Sequence, residues 1–105
     1  MPKVSALVRL LMEVINQLPI DSLKTEKERR DYVIDTLKRM DYDAEMAIIF
    51  IMILCDHWKT QVTESCLHKY LHSLYTEKEI NTNIHSLKRS LKIKEIKETG
   101  VLKLI

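Results

Sequence analysis

The chain has 105 residues, 46% hydrophobic and 30% charged, which suits one domain with a modest core and leaves little room for an elaborate catalytic superstructure. That balance excludes intrinsic disorder, and a net charge of only +2 excludes any conclusion about partners from total charge alone. The two cysteines, Cys55 and Cys66, with no secretory apolar stretch near Met1, predict free thiols in a reducing, cytoplasmic setting.

In chain order, Val4, Leu7, Val8, Leu11, Val14, Ile15 and Leu18 repeat at helical spacing and predict a first helix over residues 3–18, stopped by Pro19. Thr25 and Glu28 form a capping-box pattern that opens a second helix, residues 26–40. Its Tyr32, Val33, Leu37 and Met40 share one side, opposite a dense mix of charges. Asp43 then suits the N-cap of a third helix over residues 44–58. The run "MAIIFIMILC" within it is about half the roughly 20 residues that span a bilayer, so no membrane segment is expected and the helix reads as the buried centre of the fold. Trp58 falls at the edge of that core.

Leu67, Tyr70, Leu71 and Leu74 predict a short fourth helix, residues 64–73. Thr76 and Glu79 repeat the capping-box pattern before a fifth, residues 77–91, with Ile80, Ile84, Leu87 and Leu91 along one edge. Ile93, Ile96, Val101, Leu102 and Leu104 flank "KETG" and predict a two-stranded hairpin, with Gly100 free to take the positive φ of a tight turn. The expected fold class is therefore mainly α, about five helices with a C-terminal β-hairpin, in a single domain over residues 1–105.

This order, an apolar helix, a short helix, a turn, a helix with one apolar edge and a hairpin, resembles the winged helix-turn-helix DNA-binding superfamily over residues 44–105. Thr63, Leu67 and Leu71 match the family's cap and core spacing in the first helix of the pair, and Ile80, Ile84 and Leu87 match the apolar positions of its recognition helix. His68 stands where the family usually has a small residue, and His72, Ser73 and Leu74 occupy a turn that commonly holds glycine. No particular family within the superfamily is singled out.

The resemblance implies a small cytoplasmic transcriptional regulator that reads the major groove of double-stranded DNA with the helix over residues 77–91. Asn81, Thr82, Asn83, His85, Ser86, Lys88 and Arg89 would face outward, with Lys92 and Lys94 near the backbone and Lys97 and Lys103 in the wing. These residue types suit DNA, because Asn pairs with adenine, Arg with guanine, and Lys with phosphate. Charge distribution is compatible with it. Residues 1–75 hold ten basic and eleven acidic side chains, residues 76–105 seven and four, and such a local basic patch is what a phosphate-binding surface needs.

A non-enzymatic adaptor or inhibitor that uses the same tripartite fold to bind another protein is the alternative, since any surface helix has one apolar and one polar face. The wide apolar face of the first helix predicts a homodimer through Leu7, Leu11, Val14 and Leu18, or else packing of that face on the third helix. No enzyme is expected. Cys55, His57, Cys66, His68, His72 and His85 lack the paired spacing of a zinc site, so no metal and no cofactor is predicted, and buried thiols and surface imidazoles are the simpler reading. Cys55 lies in the core helix and the chain's single glycine provides no oxyanion or phosphate loop.

Overall fold

A computed structural model describes residues 20–105 together with Arg9, Glu13 and Ile15. Among them are a 3₁₀ turn, Ile20–Ser22, four α-helices, α1 Glu26–Met40, α2 Ala44–His57, α3 Glu64–Leu71 and α4 Glu77–Arg89, and two strands, β1 Ile93–Ile96 and β2 Val101–Leu104. The expected helix over residues 3–18 and its dimer residues Leu7, Leu11, Val14 and Leu18 lie outside the described residues, apart from Arg9, Glu13 and Ile15, which are helical. Ile15 is buried in the core.

Local chemistry sets the helix starts. Thr25 Oγ1 accepts the Glu28 amide at 3.1 Å while Glu28 Oε1 accepts the Thr25 amide at 3.1 Å, so two amides that the first turn would orphan are satisfied together. The Thr25 hydroxyl also donates to Glu28 Oε1 at 2.9 Å, and this bond, with the one from the Thr25 amide, holds the Glu28 carboxyl below its usual range. Thr76 and Glu79 repeat the arrangement at α4, and Asp43 Oδ1 accepts the Met46 amide at 2.8 Å to cap α2. Thr63 caps α3 through the Cys66 amide.

Burial sets the packing. Every residue of α2 from Ala47 to Cys55 is buried, which is possible only for a helix covered on all sides. Val33 and Leu37 of α1, Leu67 and Leu71 of α3, Ile80, Ile84 and Leu87 of α4, and Ile93 and Leu102 of the strands join it in one core. The turn between α1 and α2 is tied to the turn between α3 and α4 by the Tyr75 hydroxyl, which donates to the Tyr42 carbonyl oxygen.

Two apolar positions depart from expectation. Met40 is 46% exposed, because α1 turns Val33, Thr36 and Leu37 inward and ends one residue later at Asp41, φ 50°. Leu91 is 73% exposed, because α4 stops at Arg89. Leu91 takes φ 60°, its amide bonding to the Lys88 carbonyl and that of Lys92 to the Leu87 carbonyl. This is the Schellman closure, which glycine normally occupies. A left-handed conformation costs a side-chain-bearing residue roughly 1–2 kcal/mol, partly offset by glycine's larger chain entropy. Leu91→Gly is therefore expected to stabilise the fold by about 0.5–1 kcal/mol, read as a higher urea midpoint at unchanged slope.

The hairpin is antiparallel, with Ile93 opposite Leu104, Lys94 opposite Lys103, Glu95 opposite Leu102 and Ile96 opposite Val101. Its turn is closed by the Thr99 and Gly100 amides on the Ile96 carbonyl, with Gly100 at φ 75°. Val62, in the connection between α2 and α3, adds a single antiparallel bridge to Leu102, whose amide donates to the Val62 carbonyl at 2.7 Å. No helix among the described residues is long and apolar enough to cross a membrane.

Candidate nucleic-acid interface

The apolar edge of α4 fixes what its other face can do. With Ile80, Ile84 and Leu87 buried against the core, the helical period turns Lys78, Thr82, His85, Ser86 and Arg89 to solvent, and all five are exposed. The side chains of Thr82, His85, Ser86 and Arg89 form a polar strip one helix long, chemically able to donate to and accept from base edges and phosphates. On the hairpin, Lys94 and Lys103 stand directly opposite each other, and Lys97 is exposed at its turn. Like charges facing one another across a strand pair destabilise a sheet, so an anion between them would relieve a repulsion the fold otherwise tolerates.

Other expected site residues are engaged inside the fold. His68 Nε2 donates to Asn81 Oδ1 at 2.9 Å, so Asn81 bridges α3 and α4 and His68 is half-buried between them, not a surface imidazole. Asn83 Nδ2 donates back to the Glu79 carbonyl at 2.8 Å. Lys88 Nζ donates to Glu64 Oε1 at 2.9 Å and to Glu95 Oε1 at 3.1 Å, and those two bonds raise its pKa above the usual lysine value. Lys92 Nζ reaches Glu45 Oε1 at 3.2 Å. Lys88 thus fastens α4 to α3 and the hairpin, and Lys92 fastens the α4–β1 connection to α2.

Of the ten residues expected to meet DNA, the structure places Thr82, His85, Ser86, Arg89, Lys94 and Lys97 on the open surface. Asn81, Asn83, Lys88 and Lys92 are engaged with the protein itself. Lys78 joins the exposed set at the first turn of α4, accompanied by Glu77 and by Glu79, whose carboxylate is taken up by Thr76. The bridge from Val62 to β2 was not foreseeable from its tetrapeptide "KTQV", which is too short and too polar to mark a strand. Among the described residues, no three His, Cys, Asp or Glu side chains gather to hold a metal ion.

Compared with family models, with curated proteins and with solved structures, the chain matches none.

Proposed function

We propose that this chain is a small DNA-binding protein, a transcriptional regulator that lays the outer face of α4 in the major groove and sets the hairpin against the backbone. The observation that carries the reading is the open polar strip of Thr82, His85, Ser86 and Arg89, backed by the buried Ile80, Ile84 and Leu87, with a further pair of exposed cations, Lys94 and Lys103, on the hairpin. Winged helix-turn-helix identity belongs to the same proposal. The order α2, α3, α4, β1, β2 supports it, as does Val62 pairing with β2 in the position of a third, vestigial strand.

The test is fluorescence anisotropy on a random-sequence duplex across a salt series. Each phosphate contact contributes a slope of about −0.9 in log K against log salt. Lys78→Ala with Arg89→Ala is expected to weaken binding and make the slope shallower by about 2. Lys88→Ala should leave the slope nearly unchanged, since its ammonium is already held by Glu64 and Glu95. Absence of binding by the parent chain at low salt overturns the proposal.

One observation favours the second reading, a protein-interaction adaptor or inhibitor. Glu64, Glu95 and Glu45 neutralise Lys88 and Lys92, which leaves the outer surface of α4 less cationic than its composition. A partner protein retained without nucleic acid, and lost on changing Thr82 and Arg89, would be its signature. Homodimerisation through Leu7, Leu11, Val14 and Leu18 is a separate proposal on which neither reading depends.

A further inference from the structure

A cavity of about 200 Å³ opens between α1, the C-terminal end of α2 and α3, away from the outer face of α4 and from the hairpin. Its walls divide by chemistry. Trp58, Tyr70, Cys55 and Cys66 provide aromatic and sulfur surface. Burial pushes the Cys55 thiol and the Tyr70 hydroxyl each up to about 12, so both stay protonated at neutral pH.

The other side is cationic. Arg29, Arg30 and Lys69 line the cavity against a single carboxylate, Glu26. Arg29 is fixed in place: its guanidinium carbon lies 4.9 Å from the Trp58 ring centroid, and its Nε donates to the Leu23 carbonyl at 3.0 Å. Arg30 and Lys69 make no ion pair among the described residues, so their charge is uncompensated beside a largely apolar space. A carboxylate is the group that answers two uncompensated cations with directed, charge-assisted hydrogen bonds.

Size narrows the occupant further. An apolar cavity of roughly 150 Å³ holds a benzene ring, so this volume admits one aromatic ring with a small substituent and little more. We propose that the cavity binds a small aromatic carboxylate, its ring among Trp58, Tyr70 and the two sulfurs and its carboxylate facing Arg30 and Lys69. Offset or edge contacts with the aromatic walls would hold the ring, as such pairs do in protein cores. None of these residues belongs to the DNA-facing strip, so the site stands or falls independently of the proposed function.

Trp58 is the only tryptophan, and its fluorescence therefore reports on this cavity alone. The full chain, without DNA, is titrated with benzoate, with benzyl alcohol as the uncharged analogue of similar shape, and with acetate as the charge without the ring. Calorimetry is run in parallel so that binding silent in fluorescence still registers. Benzoate is expected to saturate, with benzyl alcohol weaker by about tenfold or more, the usual worth of a hydrogen bond to a charged group, and acetate weaker still. Arg30 is half-buried and Lys69 exposed, and circular dichroism checks that Arg30→Gln and Lys69→Gln keep the helices. Each should weaken benzoate severalfold while leaving benzyl alcohol unaffected. No saturable signal by either method, equal affinity for benzoate and benzyl alcohol, or benzoate binding unchanged in both variants overturns the proposal.

Discussion

Phe50→Ala is expected to cost about 3–5 kcal/mol, the range for truncating a buried phenylalanine. Phe50 is fully buried at the middle of α2, and its ring meets Tyr42 edge-on, centroids 5.9 Å apart and planes at 64°. The substitution removes that aromatic pair and leaves a void in a close-packed core that relaxes only partly around it. Against a stability of roughly 5–15 kcal/mol for a domain of this size, the loss is about a fifth of the total at the least. Urea unfolding should show a much lower midpoint, and thermal melting a fall of at least roughly 12 °C. Met40→Ala, at an exposed position of α1, should change stability by no more than about 0.5 kcal/mol. A Phe50→Ala loss below about 1 kcal/mol would mean that α2 is not the centre of the fold.

The second large effect appears on the alkaline side. Cys55 and Tyr70 are raised from their ordinary values, 9.0 and 10.0, to about 12, in both cases mainly by burial. The folded chain keeps protons that the unfolded chain would release, so their contribution is intact below about pH 9 and is lost as pH climbs from 9 towards 12. Lys88 acts in the same direction: its ammonium is held by Glu64 and Glu95, and that help disappears as the amine deprotonates above its ordinary 10.5. For Cys55 alone, a rise from 9.0 to about 12 corresponds to something on the order of 4 kcal/mol at the top of the range. Urea midpoints measured at pH 8, 10 and 11 should fall steadily, and Cys55→Ala should flatten that fall even if it lowers the midpoint at pH 8. A stability independent of pH across this range would contradict the burial of both groups.

What could be read in the chain and what could not divides by distance along it. The capping boxes at Thr25 and Thr76, the Asp43 cap, the buried run in α2 and the turn at Gly100 depend on residues within a few positions of one another, and each was legible. The end of α4 was not: whether Leu91 continues an apolar edge or breaks into a left-handed closure depends on where the hairpin must begin. The roles of Lys88 and Lys92 were hidden for the same reason. Their carboxylate partners Glu64 and Glu45 are 24 and 47 residues away, and no periodic pattern marks such pairs. His68 occupies the close approach of two helices where a smaller residue was anticipated, and it fits there by giving its Nε2 hydrogen to Asn81.

The same distinction sharpens the reading of the outer surface. Composition counts every lysine near α4 as available to a polyanion, whereas geometry assigns two of them to carboxylates and leaves Lys78, Arg89, Lys94, Lys97 and Lys103 outside the ion pairs found among the described residues. Affinity for DNA on this surface would come from a small number of contacts, which makes the salt slope a sensitive measure.

The bridge between Val62 and Leu102 has a bearing on how the molecule assembles. It encircles α3 and α4, so making it closes a loop of about forty residues, an entropic cost that is recovered only once those helices are seated. Protection of the Leu102 amide from hydrogen exchange is therefore expected to track the unfolding of the whole encircled unit. A single backbone proton would then report whether the entire second half of the chain has opened.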